Sequence, residues 1–342
     1  MMRWPVPSVL LGLLLLLLAG AILSLVQGAM QLPAIDGLLS IVDSLMGTHY
    51  SQLEAFQRVV VVELRLPRML LAVFVGAILA QSGAVLQGLF RNPLADPGII
   101  GTSSGAAVGA IVAIVWFADS LGNWTIPFSA FASGLATTLL VYGLAKSKNG
   151  TSVVFLLLAG VAIAAFAQSL IGFISYFTDD RDLRALSLWQ MGSLTGASVE
   201  NLLLTGAVMI LLAVFFQRKS EALNALLLGE PEARHMGINV ERLKLQLIVV
   251  TAIGVGFAVS IAGIIGFVGL VVPHLIRLTT GPNHQSLLPL SALCGAALMV
   301  IADLLARLVV QPAELPVGLV TALFGAPFFI TLLVQQRRYW SE

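Results

Sequence analysis

Charged side chains in this sequence are set out for docking and ion pairing, and little in it could do covalent chemistry. Glu63-Leu64-Arg65-Leu66-Pro67-Arg68 places two arginines three residues apart, on one side of what reads as a helix start before a long apolar run. Positive charge at a helix N-terminus opposes the macrodipole, so these arginines are not expected to stabilise the helix they begin. Two readings stay open: docking of an acidic partner or anionic ligand, or interfacial snorkelling of long cationic side chains. Asp303 is the sole carboxylate deep within a candidate span, and Arg307 follows one helical turn later, so a structural ion pair accounts for both. An ion-coupled carrier would place acids or histidines in mid-span, and it is kept as the alternative class. His49, His235, His274 and His284 show no metal-ligand spacing, so solvated or helix-end roles are expected and no metal site. No GxxxxGKS or GxxxxGKT, HExxH or CxxC occurs, so no ATPase or other enzyme activity is assigned. Energy for uphill transport must then come from another chain or an ion gradient.

The elements that must position these residues are membrane spans. Hydrophobic residues make up 58% of the 342-residue chain and charged ones 10%, with a mean hydropathy of +0.98, which excludes two soluble domains. The net charge of +1 and the lack of basic clusters leave no footprint for nucleic acid. Cys294, the single cysteine, lies in an apolar stretch and is expected to be a small buried side chain. Arg3 followed by an apolar run from Val9 to Val26 superficially matches a secretory signal. That run is long enough to span a ~30 Å hydrocarbon core and shows no clear cleavage site, so it is read as a retained first helix.

Nine segments have the length and apolarity of a span: Ser8–Gly28, Arg68–Leu89, Ile99–Phe117, Pro127–Ala145, Ser152–Tyr176, Asn201–Gln217, Leu243–Ile261, Leu287–Ala306 and Pro316–Val334. A tenth, Gly269–Thr280, is short, carries Pro273, His274 and Arg277, and reads as a half-helix. With the N-terminus inside, inner loops and tails hold eleven Lys and Arg residues, Arg3, Arg337 and Arg338 among them, against six in outer loops. This places both termini in the cytoplasm. The Pro- and Gly-rich turn Arg91–Gly98 and the interrupted run Gly263–His274 occupy matching points of the two halves, the sign of an inverted repeat with a pathway at its interface. On the fifth segment, Gly160, Ala164, Gln168 and Gly172 recur every four residues, a face that either packs a neighbouring helix or lines a channel.

The one long polar interruption, 217–244, holds nine of the thirty-five charged residues, so it cannot lie in hydrocarbon. It reads as two short helices broken at Gly229-Glu230-Pro231, with polar starts at Ser220 and Asn239. A compact charged helical hairpin on one membrane face suits contact with another protein; an ordinary long loop is the plain alternative.

With these residues assembled, the chain resembles the bacterial FecCD family, the permeases of ABC importers for ferric siderophores, haem and cobalamin. The resemblance runs from about Glu63 to Gln335 and rests on motifs in order. They are Leu64-Arg65-Leu66-Pro67-Arg68, Gly83-Ala84-Val85-Leu86-Gln87, Asn92-Pro93-Leu94-Ala95-Asp96-Pro97-Gly98 and Leu157-Leu158-Ala159-Gly160-Val161-Ala162. In the second half come Leu228-Gly229-Glu230, Ala233-Arg234-His235-Met236-Gly237, Gly266-Phe267-Val268-Gly269, Val272-Pro273-His274, Ala302-Asp303-Leu304-Leu305-Ala306-Arg307 and Glu314-Leu315-Pro316-Val317-Gly318.

The resemblance implies an all-α polytopic fold, the type II ABC importer permease, as one transmembrane domain over 1–342. It implies ten transmembrane helices with helices 2–5 and 7–10 as the inverted repeat. It further implies a homodimer in the bacterial inner membrane with its pathway on the twofold axis, two cytoplasmic ATPase subunits that carry ATP and magnesium, and a periplasmic substrate-binding protein. No cofactor is expected on this chain, and its other partner is membrane lipid. By the same resemblance the 217–244 helices seat on the ATPase through Leu228, Gly229, Glu230, Ala233, Arg234, His235 and Gly237. Arg65, Arg68 and Arg307 match the family's outer arginines, which receive acidic residues of the binding protein. Asn92 and Leu94 correspond to the inner closure of the pathway, with Ser152, Gly160, Ala164 and Gln168 on the pathway helix. Where relatives carry small polar residues at the start of that helix, this chain has Ser152 and then apolar Val153 and Val154. Overall similarity puts haem first as cargo, ferric siderophore second and cobalamin third.

Overall fold

The computed structural model describes residues 4–28, 30–117, 122–148 and 150–340; Arg3, counted above on the inner side, lies outside them. The described chain is helical almost throughout. The first half comprises α1 (Val6–Val26), α2 (Ala34–Met46), α3 (Ala55–Val59), α4 (Leu66–Leu89), α5 (Thr102–Trp116) and α6 (Thr125–Ala145). A two-stranded hairpin, β1 (Lys146–Ser147) and β2 (Gly150–Thr151), leads into α7 (Val153–Tyr176). Then come α8 (Asp180–Gln190), α9 (Val199–Arg218), α10 (Ser220–Leu228), α11 (Glu230–His235) and α12 (Val240–Ala262). The chain finishes with α13 (Val268–Thr280), α14 (His284–Leu308) and α15 (Val317–Trp340).

The centre is α4, apolar all round, with nineteen of its 24 residues buried against α9, α12, α13 and α14. Small residues let these backbones meet without a hydrophobic driving force between helices. A Cβ on Gly76 would run into the Gly295 carbonyl of α14, and one on Gly295 into the Gly76 carbonyl. Gly83 meets the Gly269 carbonyl at the start of α13 in the same way. By contrast α7 and α9 leave most of their apolar surface uncovered in the single chain.

Each of the ten expected segments falls on a helix, but length and apolarity support seven crossings: α1, the α3–α4 helix, α6, α7, α9, α12 and α14. Three further apolar helices are shorter: α5, α13 and the Val317–Thr331 part of α15. The half-helix reading of 269–280 matches α13, which is 13 residues long with Pro273 inside it. Two helices were not expected, α2 and α8, because each mixes charge with apolar residues too short to span.

One inference from sequence is overturned. The second span starts at Ala55, with Glu54 and Gln57 forming a capping box, and runs unbroken to Leu89. Arg65 and Arg68 therefore lie well inside a helix, and the argument from the macrodipole does not apply to them. Pro67 cannot donate to the preceding turn, and a π-helical turn over Val60–Arg65 absorbs the mismatch. Arg58, counted in a loop from sequence, lies within this helix, whose first turns carry polar residues. Similarly Ser220 is the first residue of α10 and not its cap, while Asn239 does cap α12, accepting from Arg242 N–H at 3.0 Å.

Candidate functional site

At one end of the helices, the end expected to face outward, the arginines converge on the C-terminus of α1. The Arg65 guanidinium donates to the Leu25 carbonyl at 2.7 Å, to Val26 at 2.8 Å and also to Met30. Arg307 donates to the Ser24 carbonyl at 3.1 Å and to Ser24 Oγ at 2.6 Å. These are the carbonyls a helix C-terminus leaves without partners, and two cations there complement the dipole. Arg307 Nε also lies 3.1 Å from Asp303 Oδ2, so the expected ion pair is present. Arg68 reaches Asp303 Oδ1 through Nε at 2.8 Å and Glu314 Oε2 through Nη1 at 2.7 Å. Arg65, Arg68, Arg307 and Glu314 line one cavity of about 440 Å³. Glu314 was missed as a partner because it lies 246 residues from Arg68, although it stood in a quoted motif.

The opposite end, expected to face inward, carries the hairpin. α10 ends at Gly229, whose φ of 137° is open to glycine, and Pro231 sits in the first turn of α11. Leu228 is exposed, Ala233 buried, and Arg234, His235 and Gly237 exposed. Glu230 and Glu241 both hold Lys244, at 2.7 and 3.3 Å. Asn224 on α10 accepts from His284 N–H at 2.8 Å and donates to Asn283 at 2.8 Å, which ties the hairpin to the turn before α14. Neither Asn224 nor Lys244 was singled out from sequence, since only the tertiary fold gives them partners.

Residues expected along the pathway do not share one environment. Asn92 Oδ1 accepts from Leu94 N–H at 2.9 Å, closing a turn after α4. Ser152 is the N-cap of α7, accepting from Phe155 N–H at 3.4 Å. Gly160 is buried, and a Cβ there would strike the Ile99 carbonyl in the short 3₁₀ turn Pro97–Ile100. Ala164 is half-buried, while Gln168 and Gly172 are exposed. The four-residue stripe thus divides into a packing end and an open end. Near the inner end of α4, Gln87 donates to the Leu270 carbonyl at 3.1 Å and accepts from Arg277 at 2.9 Å. Arg277, counted on neither side in the sequence, thus has a buried partner.

His284 and His274 are buried rather than solvated, His284 as the first residue of α14. Among the described residues no group of three His, Cys, Asp or Glu is placed to hold a metal ion. Gly101-Thr102-Ser103-Ser104-Gly105 spells GxSxG, but it opens α5 directly after a 3₁₀ turn, without the preceding strand that a nucleophile elbow needs.

Residues 8–335 match the FecCD transport family. The chain belongs to that family. It is therefore an ABC importer permease subunit and a multi-pass inner-membrane protein, with ATP and magnesium handled by a separate ATPase chain. Similar FecCD permeases include the hemin transport system permease protein HmuU of Yersinia pestis, 46% identical over 281 residues, which is 81% of this chain and 84% of that one. The vitamin B12 import system permease protein BtuC of Vibrio cholerae is 43% identical over 287 residues, 84% and 86% of the two chains. A cobalamin import permease of Halobacterium salinarum is 44% identical over 81% of this chain and 73% of its own. A solved inward-facing structure of a metal-chelate type ABC transporter superposes with a TM-score of 0.84 at 37% identity, covering 96% of this chain and 99% of that one. The type II importer fold follows from that superposition.

Proposed function

We propose that this chain forms a homodimer that carries haem across the bacterial inner membrane, driven by two ATPase subunits and fed by a periplasmic binding protein. The observation that carries the cargo is the 46% identity to a hemin permease, above the 43–44% to cobalamin permeases. The cobalamin permeases match a stretch of equal length, so cobalamin is the second reading; ferric siderophore is the third.

In this reading α5, α13 and α15 complete ten crossings, and the two halves, spans 2–5 and 7–10, form an inverted repeat with both termini inside. Helices α10 and α11 within 217–244 seat on the ATPase through Leu228, Gly229, Glu230, Ala233, Arg234, His235 and Gly237. Support comes from the exposure of Leu228, Arg234 and His235 on a short hairpin anchored from behind by Asn224 and Lys244. Arg65, Arg68 and Arg307 receive acidic residues of the binding protein, since all three line one open outer cavity. Asn92, Leu94, Ser152, Gly160, Ala164 and Gln168 shape the pathway, and the uncovered face of α7 is its wall in the dimer.

The test is uptake in proteoliposomes holding the permease, its ATPase and its binding protein. ATP-dependent haem uptake, and ATPase stimulation by the haem-loaded binding protein alone, is expected. Stimulation by cobalamin-loaded protein alone would move the assignment to cobalamin, and uphill transport by the isolated chain would reject the whole reading. Replacing Gly229 and Glu230 with bulky apolar residues should abolish co-purification of the ATPase.

A further inference from the structure

Lys244 is 3% exposed, yet it is a primary ammonium at the root of the inner hairpin. A buried charge is tolerated only when its protons are accepted and its charge is matched. Here three acceptors stand around Nζ: Glu230 Oε1 at 2.7 Å, the Thr151 carbonyl at 2.9 Å and Glu241 Oε1 at 3.3 Å. Glu241 turns its other oxygen to the Thr151 N–H at 2.8 Å. The Thr151 peptide is thus gripped at both ends by two side chains of α12. Gly150 has a φ of 113°, and a Cβ there would come within 2.9 Å of Glu241 Oε1, so the clamp also fixes what residue can precede Thr151.

The three joined elements matter more than the bonds. Glu230 is the first residue of the six-residue α11, immediately after the break at Gly229. Thr151 directly precedes Ser152, the cap of α7. One turn further along, Leu156 is buried, and beyond it Gly160 bears on the Ile99 carbonyl of the turn that follows α4. A displacement of α11 therefore has a short, charged route to the inner end of α7 through one side chain, by an ion pair from Glu230 to Lys244 and a hydrogen bond from Lys244 to the Thr151 carbonyl.

We propose that Lys244 is the positioning residue through which the α10–α11 hairpin holds and moves the inner end of α7, delivering ATPase motion to the pathway at Ser152 and Gly160. This rests on the reading that the hairpin seats on the ATPase.

The test uses the complete transporter in proteoliposomes, with Lys244→Met, Lys244→Arg and the double variant Glu241→Gln/Lys244→Met, in which Glu230 keeps its ion pair with Arg234. Three quantities are read: ATPase co-purification, cargo moved per ATP, and the ATP-induced distance change between spin labels on α7 and α12. In Lys244→Met the ATPase stays bound and hydrolyses ATP, cargo per ATP falls about tenfold, and the α7 displacement is lost; contiguous networks carry coupling of this size. Lys244→Arg restores part of the transport, because a cation with several donors returns to the clamp. The double variant leaves no unmatched buried charge, so it keeps the protein folded if the single change does not, and it must show the same uncoupling. Transport per ATP within about twofold of the parent in either Met variant, or an α7 displacement that persists, overturns the proposal. Failure of the underlying hairpin reading looks different: there the ATPase remains bound when Gly229 and Glu230 are replaced by bulky apolar residues.

Discussion

Arg68 and Asp303 meet across the contact between α4 and α14, with Nε 2.8 Å from Oδ1, although 235 residues separate them in the chain. The other oxygen of Asp303 faces Arg307 at 3.1 Å, so one carboxylate, 1% exposed, bridges two guanidinium groups. Removing it leaves Arg307 without a carboxylate and Arg68 with Glu314 alone. Asp303→Ala should destabilise the protein by about 3–5 kcal/mol, the usual cost of breaking a buried ion pair from one side. Thermal unfolding of the purified protein in detergent measures this, and an unchanged midpoint would show that the arginines find other partners.

Arg68 is also tied to Glu314, whose side chain is 44% exposed, and that outer ion pair contributes little, about 0–1 kcal/mol. Glu314→Gln should leave stability nearly unchanged while freeing Arg68 for an acidic group on the binding protein. Docking affinity should therefore rise in Glu314→Gln and fall in Arg68→Glu, with opposite changes in salt dependence. Surface plasmon resonance at two ionic strengths reads both. Arg65→Glu is a poor probe of docking, because Arg65 holds the end of α1 and its loss would loosen that helix.

Helix contacts built on glycine should be intolerant at selected positions only. Gly76→Ala places a methyl group against the Gly295 backbone, costing at least the ~1–3 kcal/mol typical of overpacking, and larger side chains should prevent folding. Gly172→Ala, on the exposed side of α7, has nothing within 4 Å in the single chain and should leave its stability unchanged. Yield and thermal midpoint of the two variants in detergent give the comparison. Equal loss in both would mean that Gly172 is covered in the assembled protein.

Asp43, on α2 and outside the spans, should make the outer segment sensitive to acid. Burial alone would raise its pKa, but N–H groups of Tyr50 and Ser51, the Thr48 hydroxyl and the nearby Arg58 charge outweigh that and hold it below the ordinary 3.8. With the folded value depressed, the stabilisation is complete above the unfolded pKa and disappears as pH falls through the folded one. Protection against hydrogen exchange across residues 34–53, relative to the intrinsic rate at each pH, should therefore fall on acidification below about pH 4. Asp43→Asn should exchange faster at neutral pH and lose this dependence; a flat profile in the parent protein would contradict the assignment.

Much of the architecture could be read from the amino acids because hydrocarbon is an unforgiving solvent. Any stretch such as Val6–Val26 must satisfy its backbone within itself, so apolar length alone placed nine segments on helices, seven of them long enough to cross. The break at Gly229 and Pro231, the cap at Asn239 and the short helix around Pro273 were likewise local matters of backbone conformation. Where polar residues extend a helix beyond the apolar run, as from Ala55 to Arg65, local pattern failed, because water and lipid demand different faces of the same helix. The roles of charged residues were decided elsewhere. Arg65, Arg68, Arg307 and Lys244 have charges evident from sequence, but their partners Leu25, Glu314, Ser24 and Thr151 lie 40 to 283 residues away in the chain. Composition by itself therefore determined which segments leave water, while only the packed helices decided which carbonyl or carboxylate each buried cation meets, since Coulomb and hydrogen-bond energies depend on distances that no sequence spacing records.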